Sequence, residues 1–106
     1  MATLGFVRGH HYTEYVENIK QLKRQKEHDK AISLLLRIVD AAEHESIKEQ
    51  WGVPPWSYEQ LAIIYRKQNE HDNKEKILKR YVDFETNRGF PPVDYLVKRL
   101  LKVEEL

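Results

Sequence analysis

Along most of the chain apolar residues recur at alternating three- and four-residue steps, the spacing that gathers side chains on one face of a helix. Tyr12, Tyr15, Val16, Ile19 and Leu22 form the first such stripe and predict a helix over roughly residues 11 to 26. Ala31, Leu34, Leu35, Ile38 and Ala42 predict a second, longer helix from about Asp29 into the 46–50 region. Tyr58, Leu61, Ala62 and Tyr65 mark a third, opened by Pro55, whose missing N–H costs nothing in a first turn. Ile77, Leu78, Tyr81 and Phe84 carry a fourth, and Val93, Leu96, Val97, Leu100 and Val103 a fifth that Pro92 can open. Gly52 follows the second helix, and Gly89 can take the left-handed conformation that ends the fourth. No stretch alternates as a strand does, and residues 1–10 read as a loose N-terminus.

The pattern also repeats itself. Laying residues 15–40 over 58–83, a lag of 43, gives nine identities: Tyr15/Tyr58, Gln25/Gln68, Glu27/Glu70, His28/His71, Asp29/Asp72, Leu35/Leu78, Arg37/Arg80, Val39/Val82 and Asp40/Asp83. Unrelated segments of this length match at roughly one or two positions. Four of the nine cluster at the turn, where QKEHDK in the first copy corresponds to QNEHDN in the second, so the pairs should turn alike, with repeat-equivalent residues in matching surroundings.

At these residues the chain resembles the tetratricopeptide repeat family. Leu61, Ala62 and Tyr65 match the Leu-small-x-x-Tyr core of its first helix, and Leu78 falls at the large apolar position of the second. In the first copy Leu22 takes the aromatic position, Ala31 the small one and Leu35 the large apolar one. Ile19 and Lys74 depart from the pattern, since small residues are usual at both positions. The lag exceeds the family's period of roughly 34 residues, and Glu43 to Val53 would absorb the excess. The resemblance implies an all-α fold: two antiparallel helix-turn-helix repeats (11–50 and 55–88) and a C-terminal capping helix (92–105), forming a right-handed α-solenoid fragment within a single domain. Neither hairpin can hide its apolar face alone, so stacked units share a core.

Composition narrows the function classes. In 106 residues, 41% hydrophobic and 33% charged, one modest core fits and no transmembrane stretch occurs, which leads us to expect a soluble cytoplasmic protein. The chain has no cysteine for a disulfide, thiolate metal site or thiol nucleophile. A net charge of +1 argues against a dedicated nucleic-acid binder, although KQLKRQKEHDK (Lys20–Lys30) and Arg66-Lys67 are locally basic.

Candidate chemistry is sparse. His44-Glu45-Ser46-Ile47-Lys48 starts like a zinc-protease helix, but Lys48 stands where the second histidine ligand is needed. His28 and His71 precede the second helix of each copy and read as structural turn residues, whereas His10-His11 fall in the loose end. Asp29 and Asp72 suit helix N-termini, where a carboxylate accepts backbone N–H groups and favours the positive end of the dipole. Trp51 and Trp56, beside a proline turn, read as sealing a core edge. Neither a nucleophile elbow nor a phosphate-cradling glycine loop occurs, so we expect no enzyme, no metal and no cofactor.

The functional expectation is therefore protein–protein interaction. In the family the first helix of each unit lines a concave surface. The resemblance carries that role onto Thr13, Val16, Lys20, Lys23 and Arg24 in one copy and Trp56, Glu59, Ile63, Arg66 and Lys67 in the other. Five of these ten are basic, so the surface would suit a protein or peptide bearing acidic residues. Lys20, Lys23, Arg24, Trp56, Ile63, Arg66 and Lys67 are the candidate partner-binding residues. The alternatives are self-association into a homodimer, and nucleic-acid binding through the basic stretches.

Overall fold

In a computed structural model of the chain, residues 6–7 and 10–104 are described, without the side chains of Phe6, Val103 and Glu104. The expectation of a loose start therefore falls largely outside the described residues, as does the place of Val103 in the fifth stripe. The chain divides into two compact units, Met1–Val53 and Pro54–Leu106.

In the first unit, β1 (Phe6–Val7) and β2 (His10–His11) form a two-residue antiparallel ladder, followed by a 3-10 helix (Tyr12–Tyr15), α1 (Val16–Arg24) and α2 (His28–Glu49). The ladder corrects the expectation of no strand, and three anchors explain it. Val7 is buried, and its carbonyl accepts a 2.6 Å hydrogen bond from the Tyr15 hydroxyl. His11 lies 2.7 Å through Nε2 from the Glu45 carboxylate on α2, and its backbone N–H donates to Glu14 at 2.8 Å. His11 thereby caps the 3-10 helix through a reciprocal pair with Glu14, a locally favourable N-terminus that alternation cannot reveal. The core includes Ile19 of α1 with Ala31, Leu35, Ile38, Val39, Ala41 and Ala42 of α2, beside Val7 and Val53. Of the predicted stripes Ile19, Ala31, Leu35, Ile38 and Ala42 are buried, while Tyr12, Tyr15, Val16, Leu22 and Leu34 are half-buried.

The second unit holds α3 (Trp56–Lys67), α4 (His71–Asn87) and α5 (Asp94–Glu104). Its core joins Tyr58, Leu61, Ala62 and Ile64 of α3 to Ile77, Leu78 and Tyr81 of α4 and to Leu96 and Leu100 of α5. The Tyr58 and Tyr81 rings meet at 5.1 Å, tilted by 54°, a favourable aromatic arrangement. The Tyr81 hydroxyl accepts from the Val93 N–H at 3.0 Å and so anchors the start of α5. Two proline expectations shift. Pro55 sits at the N-cap of α3 rather than within its first turn, and Pro92 precedes α5 altogether, because the Val93 carbonyl accepts the first helical bonds.

The turns between paired helices are duplicates. Lys26 and Asn69, at φ 57° and 58°, each hold a left-handed conformation. After them Glu27 N–H donates to the Leu22 carbonyl at 2.9 Å and Glu70 N–H to the Tyr65 carbonyl at 2.8 Å. Lys26 N–H bonds Lys23 and Asn69 N–H bonds Arg66, both at 3.1 Å, which completes a Schellman motif in each unit. The same motif closes α4, where Gly89 at φ 82° is the left-handed residue.

Surroundings match less closely than the turns. His28 and His71 are each the first residue of their helix, but His28 is half-buried and His71 exposed. Asp29 and Asp72 lie one residue further on, in the first turn, where the dipole favours them. They are not caps: the N-cap positions belong to Glu27 and Glu70, and neither makes a side-chain cap bond. Trp51 is 48% exposed, contrary to the expected edge seal, while Trp56 is half-buried.

Candidate functional site

The expected binding residues fall on α1 and α3, and each unit places its own set. On α1, Lys20 is exposed and reaches Glu17 at 3.4 Å, a pairing of two solvated side chains that leaves the ammonium accessible. Arg24 is exposed and donates to Gln21 at 3.0 Å, while Lys23 is half-buried. These three do not line the depression of about 460 Å³ bordered by Tyr15, Asn18, Leu22, Ser33 and Leu34 of α1, α2 and the 3-10 helix.

In the second unit Ile63 and Arg66 come together in a cleft of about 40 Å³ with Ala62, Lys74 of α4 and Arg99 of α5. Trp56 and Lys67 lie on the same helix outside it. Lys74 is half-buried, and its ammonium is held below the ordinary lysine value, first by burial and then by the like charges of Arg66, Arg99 and Lys102. Arg99 is positioned from two sides: its guanidinium lies 3.6 Å from Glu59 and 5.6 Å from the centre of the Tyr95 ring, and the Tyr95 hydroxyl donates to Glu59 at 2.9 Å. Burial and Glu59 together raise the Tyr95 phenol above its usual value. Among the described residues Arg66, Lys74 and Lys102 make no ion pair, and Glu59 pairs with Arg99.

Sequence reasoning found Ile63 and Arg66 but missed Lys74, Arg99 and Lys102. Lys74 did leave a signal, since the matching position of the first copy is the fully buried Ala31. Arg99 and Lys102 lie outside the repeated segment, so no alignment of the two copies could point to them.

Among the described residues no group of three or more His, Asp or Glu side chains could hold a metal, and no helix is long and apolar enough to cross a membrane. No protein-family model, curated protein or solved structure matches the chain.

Proposed function

We propose that the chain is a tetratricopeptide-like interaction module that recognises an acidic segment of a partner protein through the exposed cations of α1 and α3. The observation that carries this reading is the cation cluster beside Ile63, in which Arg66 and Lys74 have no carboxylate of their own. Cations that face one another without counter-charge are held apart at a cost, and an acidic partner relieves it. Lys20 and Arg24 on α1 add accessible positive charge that steers such a partner. The duplicated turns support the repeat reading, because they give both hairpins the same local geometry at equivalent positions.

The test is fluorescence anisotropy with a labelled deca-glutamate peptide, on the wild type beside a Lys20/Lys23/Arg66 triple-alanine variant. The reading expects saturable binding to the wild type, weakened at least tenfold in the variant on the scale of about 1.4 kcal/mol per decade. A labelled single-stranded oligonucleotide of equal charge serves as competitor. Preferential oligonucleotide binding with a steep salt dependence would replace the protein-partner reading with the nucleic-acid one.

One observation favours a second reading, self-association. Ile47, near the C-terminal end of α2, and Trp51, just past the left-handed Gln50 that ends it, are 55% and 48% exposed and offer apolar surface. Light scattering across a dilution series decides it, since a mass that stays monomeric at every concentration removes the dimer.

A further inference from the structure

We propose that the cleft walled by α3, α4 and α5 is a carboxylate subsite, in which Arg66, Lys74 and Arg99 receive one acidic side chain of a partner segment and Ile63 supplies the apolar wall. The inference rests on the reading of an acidic partner and specifies where that partner is gripped.

Three observations meet at this place. Cations from three helices converge on one opening, whereas a solvated basic face draws its charges from one helix surface and spreads them. The opening is also small. At about 40 Å³ it suits one small anionic group rather than a large ligand. Finally, the two copies differ here: Ala31 is fully buried in the first unit, while Lys74 at the matching position is half-buried among like charges. A lysine so placed gains from any anion that reaches it. By linkage a bound carboxylate draws the Lys74 ammonium back toward its ordinary value, and protonated Lys74 binds the carboxylate more tightly than the neutral amine does.

Arg99 is already oriented by Glu59 and Tyr95, so its free N–H groups can be offered with little loss of side-chain freedom. Arg66, exposed at the last turn of α3, can close over the same oxygen atoms from the other side. Lys102 adds charge nearby and is not among the residues that line the cleft.

The experiment is an amide-resolved NMR titration of the full chain at low salt with an acetylated, amidated tri-glutamate peptide. It is run on the wild type, Lys74→Ala, Arg66→Ala and the control Lys76→Ala, which removes an equal charge from the exposed side of α4. Lys74→Ala installs the residue that the first copy carries at this position, and Arg66→Ala changes an exposed side chain, so the two variants fail independently. The subsite predicts shifts centred on residues 62–66, 74 and 99. It also predicts about tenfold weaker binding in Lys74→Ala and in Arg66→Ala, the loss of one charge-assisted hydrogen bond, against less than about twofold in Lys76→Ala. Equal weakening in all three variants would leave an acidic-partner surface standing and overturn the subsite. Shifts confined to α1 would do the same. Absence of binding anywhere would remove the acidic partner itself, and the subsite with it. A parallel titration with inorganic phosphate that binds the cleft more tightly than the peptide would overturn the carboxylate assignment.

Discussion

The two hairpin units carry the same turn on different surroundings. Lys26 and Asn69 adopt the same left-handed backbone, and the bonds that follow agree residue by residue at a lag of 43. Away from the turn the copies part. Tyr58 is wholly buried against Tyr81, while its counterpart Tyr15 is half-buried and spends its hydroxyl on the Val7 carbonyl. Ala42 and Glu85 are both buried, but Glu85 brings a carboxylate that lies 3.7 Å from the Arg88 guanidinium, itself set over the rings of Phe84 and Phe90. A Schellman turn is decided within six residues, so it survives a change of neighbours. A helix face is decided by whatever packs on it, and a position can keep its place in the repeat while changing its partner.

The largest effect should come from the one core pair that the copies share outright. Leu35→Ala and Leu78→Ala each empty a side chain with no exposure, and each should cost about 2–5 kcal/mol in urea unfolding. The comparison breaks if one is severe and the other mild, because the two leucines would then sit in cores of unlike tightness.

Smaller effects test the turns and their attachments. Left-handed backbone costs a lysine roughly 1–2 kcal/mol and is easier for asparagine, so Lys26→Gly should stabilise by up to about 1 kcal/mol and Asn69→Gly by less. Differential scanning calorimetry of the two variants reads this order directly, and destabilisation by either would contradict the assigned geometry. The tyrosines come next. Tyr81→Phe and Tyr15→Phe each delete one hydrogen bond to backbone, with a loss of about 0.5–1.5 kcal/mol. Tyr15→Phe should loosen the N-terminal ladder, visible as faster amide exchange at Val7, and Tyr81→Phe should leave that ladder untouched.

The smallest effect concerns Lys74, whose ammonium is disfavoured in the folded chain. The unfolded state therefore binds more protons between the lowered folded value and the ordinary lysine range near 10.5. Below that window the cost is fully present, and it is relieved as pH rises through it. Lys74→Met should accordingly stabilise at pH 7, by only a few tenths of a kcal/mol given solvent screening, and the gain should shrink in added salt. Urea midpoints at two salt concentrations check both the sign and the trend.

Much of the helical layout was legible in the sequence, because apolar stripes such as Ala31–Leu35–Ile38–Ala42 report directly which face is buried. The turns were legible through their repetition, although nothing in a lysine announces the left-handed conformation of Lys26. The N-terminal ladder was not, since two-residue strands have no period to detect and the His11–Glu45 contact spans 34 positions. Assigning Asp29 and Asp72 as caps failed for a related reason. The backbone after a Schellman turn enters the next helix two residues earlier than caps at Asp29 and Asp72 would place it, which makes Glu27 and Glu70 the cap residues. The candidate site was half legible. Ile63 and Arg66 follow from the helix they share, but Lys74 and Arg99 reach the cleft only through the packing of α4 on α3 and of α5 on α4.

Amide hydrogen exchange at Glu27 and Glu70 tests the duplicated turn most directly. Their N–H groups reach back across the turn to Leu22 and Tyr65, and an open loop would leave both to solvent. Slow exchange at the two amides, each matching the protection of the helix it closes, is the expected result. Protection at one and free exchange at the other would show that the hairpins are not copies.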